Sequence, residues 1–99
     1  MRTITVKNII EDSFSPIGGH KLGNLLVDEM RSSDERISVN FIDVSPFTTL
    51  FFNAMFADLE KLGDLSKTVK KMDITKLALN DQSTYERSLK NAINKQAKK

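Results

Sequence analysis

The chain has 99 residues, 39% of them hydrophobic and 28% charged, with a formal net charge of +2. That size and mixture fit one domain over residues 1–99 and exclude wholesale disorder, which goes with few apolar residues and a large net charge. No apolar run nears the roughly 18 residues of a membrane span, and MRTITVKNIIEDS turns acidic too early for a secretory signal. The lack of cysteine removes disulfides, thiol catalysis and thiolate metal sites, so a cytoplasmic domain is expected.

Arg2–Val6 alternates in β-favouring residues and predicts a strand, with Ile4 and Val6 on one face. Ile9–Ile10 is a candidate second extended piece, and Ser15-Pro16-Ile17-Gly18-Gly19 reads as a loop by its turn residues. From His20 to about Arg31, Leu22, Leu25, Leu26 and Met30 recur at helical spacing, with Asp28, Glu29 and Arg31 outward. Arg36–Val44 is the strongest strand pattern. Ile37, Val39 and Phe41 share one face, and Ile42 and Val44 weight the other, as in a strand covered on both sides.

Ser45-Pro46 interrupts this strand, and Phe47–Leu62 is long enough for a four-turn helix. A weaker strand is expected at Thr68–Asp73. The last helix opens at the capping-box spacing Ser83-x-x-Glu86 and carries Tyr85, Leu89, Ala92 and Ile93 on one stripe, ending in a frayed basic tail over residues 95–99. The order β–α–β–α–β–α predicts an α/β fold: a small mixed or largely parallel sheet of three or four strands with about three helices.

Charge divides unevenly, residues 1–60 carrying −4 and residues 61–99 carrying +6. Lys67, Lys70, Lys71, Lys90 and Lys95 are the candidate nucleic-acid contacts, against the ordinary reading of a solvated basic face. Only Tyr85 among the aromatics lies between them, where single-strand binders alternate basic and stacking residues. Catalytic material is thin. His20 is the one histidine, no Gly-x-Ser-x-Gly occurs, and Asp28/Glu29, Asp34/Glu35 and Asp58/Glu60 fall on expected polar faces. No enzyme, metal or cofactor is expected. Gly19, His20 and Lys21, beside a helix start, are a candidate anion contact, although the glycines read more simply as a turn into the helix.

The unusual segment is Phe47–Phe56, which holds four of the six phenylalanines. Phe47, Leu50, Phe51, Ala54 and Met55 form one stripe, and Phe52, Phe56 and Leu59 widen it beyond one sheet contact. Either the helix is deeply buried or part of the arc is a partner surface. Thr48 and Thr49 sit at its start, where a hydroxyl can cap amides and a phosphate meets the positive dipole end.

Ile37–Leu59 (ISVNFIDVSPFTTLFFNAMFADL) resembles the central strand, turn and helix of STAS-like domains, the group that includes anti-sigma-factor antagonists. It looks closest to the bacterial STAS-like family of unknown function, with Asn40-Phe41-Ile42-Asp43-Val44 in the strand motif and Phe51-Phe52-Asn53-Ala54 in the helix. Gly18-Gly19-His20-Lys21-Leu22-Gly23 resembles that family's entry to its first helix, and the likeness spans about residues 2–97. It implies a non-enzymatic regulatory module that binds a protein, such as an ATP-binding kinase-like partner, through Ser45, Phe47, Thr48, Thr49 and Phe52. In this register Thr49 stands where antagonists carry a phosphorylated serine, and is the candidate phosphoacceptor. Thr48 replaces the Asp of their Asp-Ser turn, and the following glycine is absent. Self-association stays open, and no membrane partner is implied.

Overall fold

The computed structural model describes residues 2–98. Three four-residue strands, β1 (Arg2–Thr5), β2 (Ile37–Asn40) and β3 (Met72–Thr75), form a parallel sheet in the order β1-β2-β3. Between and after them run α1 (Pro16–Ser32), α2 (Thr49–Leu59), the single turn α3 (Leu65–Val69) and α4 (Leu79–Ala97). The α/β expectation therefore holds, with a fully parallel sheet and four α-helices among the described residues.

Register sorts the strand residues into two faces. Arg2, Ile37 and Met72 stand side by side, as do Ile4, Val39 and Ile74, and all six point to the same side. Ile4, Ile37, Val39 and Met72 are buried under the helices. The opposite face carries Thr3, Ser38 and Asp73 in one row and Thr5, Asn40 and Thr75 in the next, and none is buried. The expectation of a β2 covered on both sides is thus corrected. β2 is central in the sheet, but it ends at Asn40, so Ile42 and Val44 belong to the following loop rather than to a second apolar face.

Other boundaries moved for identifiable reasons. Val6 leaves the sheet to start a 3-10 turn over Val6–Asn8, and Ile9 and Ile10 are half-buried loop residues rather than a strand. Helix α1 starts at Pro16, whose fixed φ suits a first helical position, and the expected Ser15–Gly19 loop is mostly its first turn. Asp64 accepts from the Ser66 amide at 3.0 Å and its hydroxyl at 2.8 Å, which nucleates α3 where a strand was expected to begin. The α4 start is Leu79, so Ser83 and Glu86 lie inside the helix and form no capping box.

The tail expected to fray is helical through Ala97. Gln96 accepts from the Leu65 amide at 2.8 Å and donates to the Gly63 carbonyl at 2.7 Å, anchoring the last turn to the α2–α3 connection. Lys99 lies outside the described residues. At the other end of the chain, Arg2 donates to the Glu29 carboxylate at 2.5 Å and carbonyl at 2.7 Å, stapling β1 to the end of α1.

The α1–α2 packing is the tightest in the molecule. Gly18, Gly19 and Gly23 line one side of α1, and a Cβ on Gly19 would run into the Phe51 carbonyl and lie 2.9 Å from the Ala54 Cβ. One on Gly23 would meet the Asp58 carboxylate at 2.8 Å. The glycines serve backbone contact between helices rather than a turn. Over β2, Phe41, Phe47, Phe51, Phe52, Phe56 and Tyr85 form a chain of ring contacts, with Phe47–Phe51 centroids 4.8 Å apart and Phe52–Tyr85 5.2 Å.

Candidate partner-binding face

All three strands point their carboxyl ends at one edge, where α1, α2 and α4 begin. The strand order runs 1-2-3 without reversing, and an open cavity of about 320 Å³ lies between the loops after β1 and β2, lined in part by Lys7, Asp12, Phe14 and Asp43. Carboxylates tie the loops of this edge down. Asp12 accepts from the amides of Ser15 (2.8 Å) and Phe14 (3.2 Å) and from the Ser15 hydroxyl (2.9 Å), and these bonds hold its carboxyl below the usual value. Asp81, buried in the first turn of α4, accepts from the Ser45 hydroxyl at 2.7 Å and the Phe47 amide at 2.9 Å. Asp43 and Lys76, at φ 61° and 59°, turn the chain sharply after β2 and β3.

Thr48 is the N-cap of α2. Its hydroxyl oxygen accepts from the Phe51 amide at 3.3 Å while its proton goes to the Phe14 carbonyl at 2.6 Å. That second bond sets the start of α1 beside the start of α2. Ser13 adds another link by donating to the Pro46 carbonyl at 2.5 Å.

The expected partner residues split. Phe47 and Phe52 are buried in the ring cluster, so neither is available as a contact, and the wide apolar arc of α2 is core. Ser45 is exposed, and Thr48 and Thr49 are half-exposed, Thr49 being the first helical residue. Exposed large apolar side chains at this edge include Phe14 (61%), Ile17 (69%) and Leu50 (57%) around the starts of α1 and α2, with Ile42 after β2 and Leu79 at the start of α4. Leu50 had been assigned to the buried stripe. Ile17 lies in the expected Ser15–Gly19 loop, which the helix starting at Pro16 replaces, and Phe14 immediately precedes that loop.

Gly19, His20 and Lys21 lie past the free amides at the start of α1. The Gly19 amide is already bonded to the Ser15 carbonyl, and Lys21 sits 3.6 Å from Glu11. His20 instead places Nδ1 2.8 Å from an Asp58 oxygen, and Asp58 is buried rather than on the polar face expected for it. The lysines do not form one stripe. Lys67 is on α3, Lys70 and Lys71 lie between α3 and β3, and Lys90 and Lys95 are exposed on α4. Lys71 is 4.0 Å from Asp34. No helix among the described residues is long and apolar enough to cross a membrane, and no group of three or more His, Cys, Asp or Glu could hold a metal ion among them.

Comparison with known proteins adds no relative: no family model, no curated protein and no solved structure matches this chain.

Proposed function

We propose that the chain is a STAS-like, non-enzymatic regulatory module that docks a protein partner, such as an ATP-binding kinase-like protein, on the edge where α1 and α2 begin. The observation that carries the reading is the exposure of Phe14, Ile17 and Leu50 on two helix starts joined by the Thr48–Phe14 bond. Exposed apolar side chains gathered on one edge, rimmed by polar groups, mark interaction surfaces. The Phe-rich helix after the central strand supports the STAS-like part of the reading through sequence resemblance. Thr49 borders the surface at the first turn of α2, where an added phosphate would face the positive end of the helix dipole.

The test compares three variants for retention of whichever protein co-purifies with the wild type. Leu50→Asp and Thr49→Glu are expected to lose the partner while melting at nearly the wild-type temperature. Combined replacement of Lys67, Lys70 and Lys71 by Ala is expected to keep it. Retention by Leu50→Asp, or binding that resides in nucleic acid and weakens steeply with salt, overturns the reading.

A further inference from the structure

His20 projects from α1 with its side chain 51% exposed, yet its Nδ1 is held 2.8 Å from Oδ2 of Asp58, whose side chain is 6% exposed. A carboxylate accepts hydrogen bonds, which assigns the imidazole proton to Nδ1 and leaves the lone pair on Nε2. Lys61 stands 3.4 Å from the other oxygen of the same carboxylate. Gly23 makes the arrangement sterically possible, because a Cβ there would lie 2.8 Å from Asp58 Oδ2. An oriented, half-exposed imidazole backed by a buried carboxylate is the geometry of an activated nitrogen nucleophile.

We propose that His20 is a phosphoryl acceptor, taking a phosphoryl group on Nε2 from a donor with a high-energy P–N bond. In the step, the Nε2 lone pair attacks phosphorus and an Nε2–P bond forms as the donor's P–N bond breaks. The electron pair of that bond leaves with the donor nitrogen, which departs as ammonia when the donor is phosphoramidate. The product ring carries a positive charge with its proton still on Nδ1. Asp58 balances that charge and acts as a positioning residue. Lys61 pairs with the other oxygen of that carboxylate and helps hold it in place. The inference does not depend on the docking reading, since it requires neither Leu50 nor a protein partner.

The probe is phosphoramidate, incubated with the full folded chain and followed by intact mass and phosphorus NMR, with N-acetylhistidine as the reference imidazole. One phosphoryl group is expected, on His20 Nε2, labile in acid and absent in His20→Gln. A carboxylate behind a metal-ligating histidine is worth about 10–100-fold in affinity or activity, and by the same orienting effect uptake is expected to be about tenfold faster than on the reference and to fall toward it in Asp58→Asn. Uptake no faster than on N-acetylhistidine, addition at Nδ1 or at a lysine, or an undiminished rate in folded Asp58→Asn overturns the proposal. Should Asp58→Asn fail to fold, the wild-type rate ratio and the nitrogen modified still decide it.

Discussion

Helix α2 meets its two neighbours in opposite ways. Toward α1 it presents backbone and short side chains, the Phe51 carbonyl and Ala54 Cβ lying against Gly19 and the Met55 carbonyl and Asp58 side chain against Gly23. Toward α4 it presents long side chains, Phe52 and Phe56 against Tyr85 and Asn53 against Ser88, and these leave an open groove of about 420 Å³ lined in part by Asn53, Asn91, Asn94 and Lys95. The first contact has no slack and the second can shift. What decides the cost of a substitution here is therefore how many atoms separate the backbones, more than how apolar the position is.

That contrast is breakable. Gly19→Val puts two methyl groups where the Phe51 carbonyl already sits, and overpacking a core costs roughly 1–3 kcal/mol or more even without a backbone clash. We expect loss of cooperative thermal unfolding. A cooperative melt near the wild-type temperature would show that α1 and α2 can separate. On the other flank, Phe52→Ala removes a fully buried ring and is expected to cost about 3–5 kcal/mol in urea unfolding, within the range of a domain's whole stability. Next in size, Gln96→Ala deletes the two bonds that anchor the end of α4, at about 0.5–1.5 kcal/mol each, and faster amide exchange at Leu65 would report it. Smallest is Leu50→Ser, an exposed site expected to move stability by less than about 0.5 kcal/mol while weakening partner retention.

A pH titration sharpens the same comparison, because the edge loops rest on carboxylates and the α1–α2 crossing rests mainly on close backbone packing. Asp12, Asp64 and Asp73 are all held below the ordinary carboxylate value: Asp12 and Asp64 by local hydroxyl and amide donors, Asp73 by the Arg36 guanidinium. A carboxyl depressed in the folded state contributes stability above its unfolded value and loses it as pH falls through the folded one. Stability should therefore drop on acidification below the ordinary carboxylate range, and Asp12→Asn should flatten part of that drop. An unchanged acid limb in Asp12→Asn would show that the bonds Asp12 accepts from Ser15 and Phe14 contribute nothing.

The apolar spacing of α1, the alternation of β1 and the Phe-rich run of α2 were legible because burial writes itself into periodicity. Gly18 and Gly19 misled because a glycine is the same letter in a turn and in a helix crossing. The Gly19-x-x-x-Gly23 spacing, with Ala54 facing it, was the signal that separates the two readings. Phe47 and Phe52 looked like surface because one helix cannot bury so wide an arc alone. Tyr85, 33 residues further on, closes it, and no local pattern announces that. Asp58 looked solvated for the same reason: its partner His20 is 38 residues away.

The strand order carries a consequence for synthesis. Each strand pairs with the one made just before it, so β2 finds β1 already emerged and β3 finds β2, and the sheet can assemble in the direction the ribosome delivers it. One joint at the carboxyl edge of the sheet waits for the last helix. The Phe47 amide and the Ser45 hydroxyl, which shape the entry to α2, wait for Asp81 in the first turn of the final helix. Until α4 arrives, the loop that leads into Thr48 and α2 lacks its anchor, and a nascent chain halted before residue 81 holds a sheet whose carboxyl-end loops are unfinished.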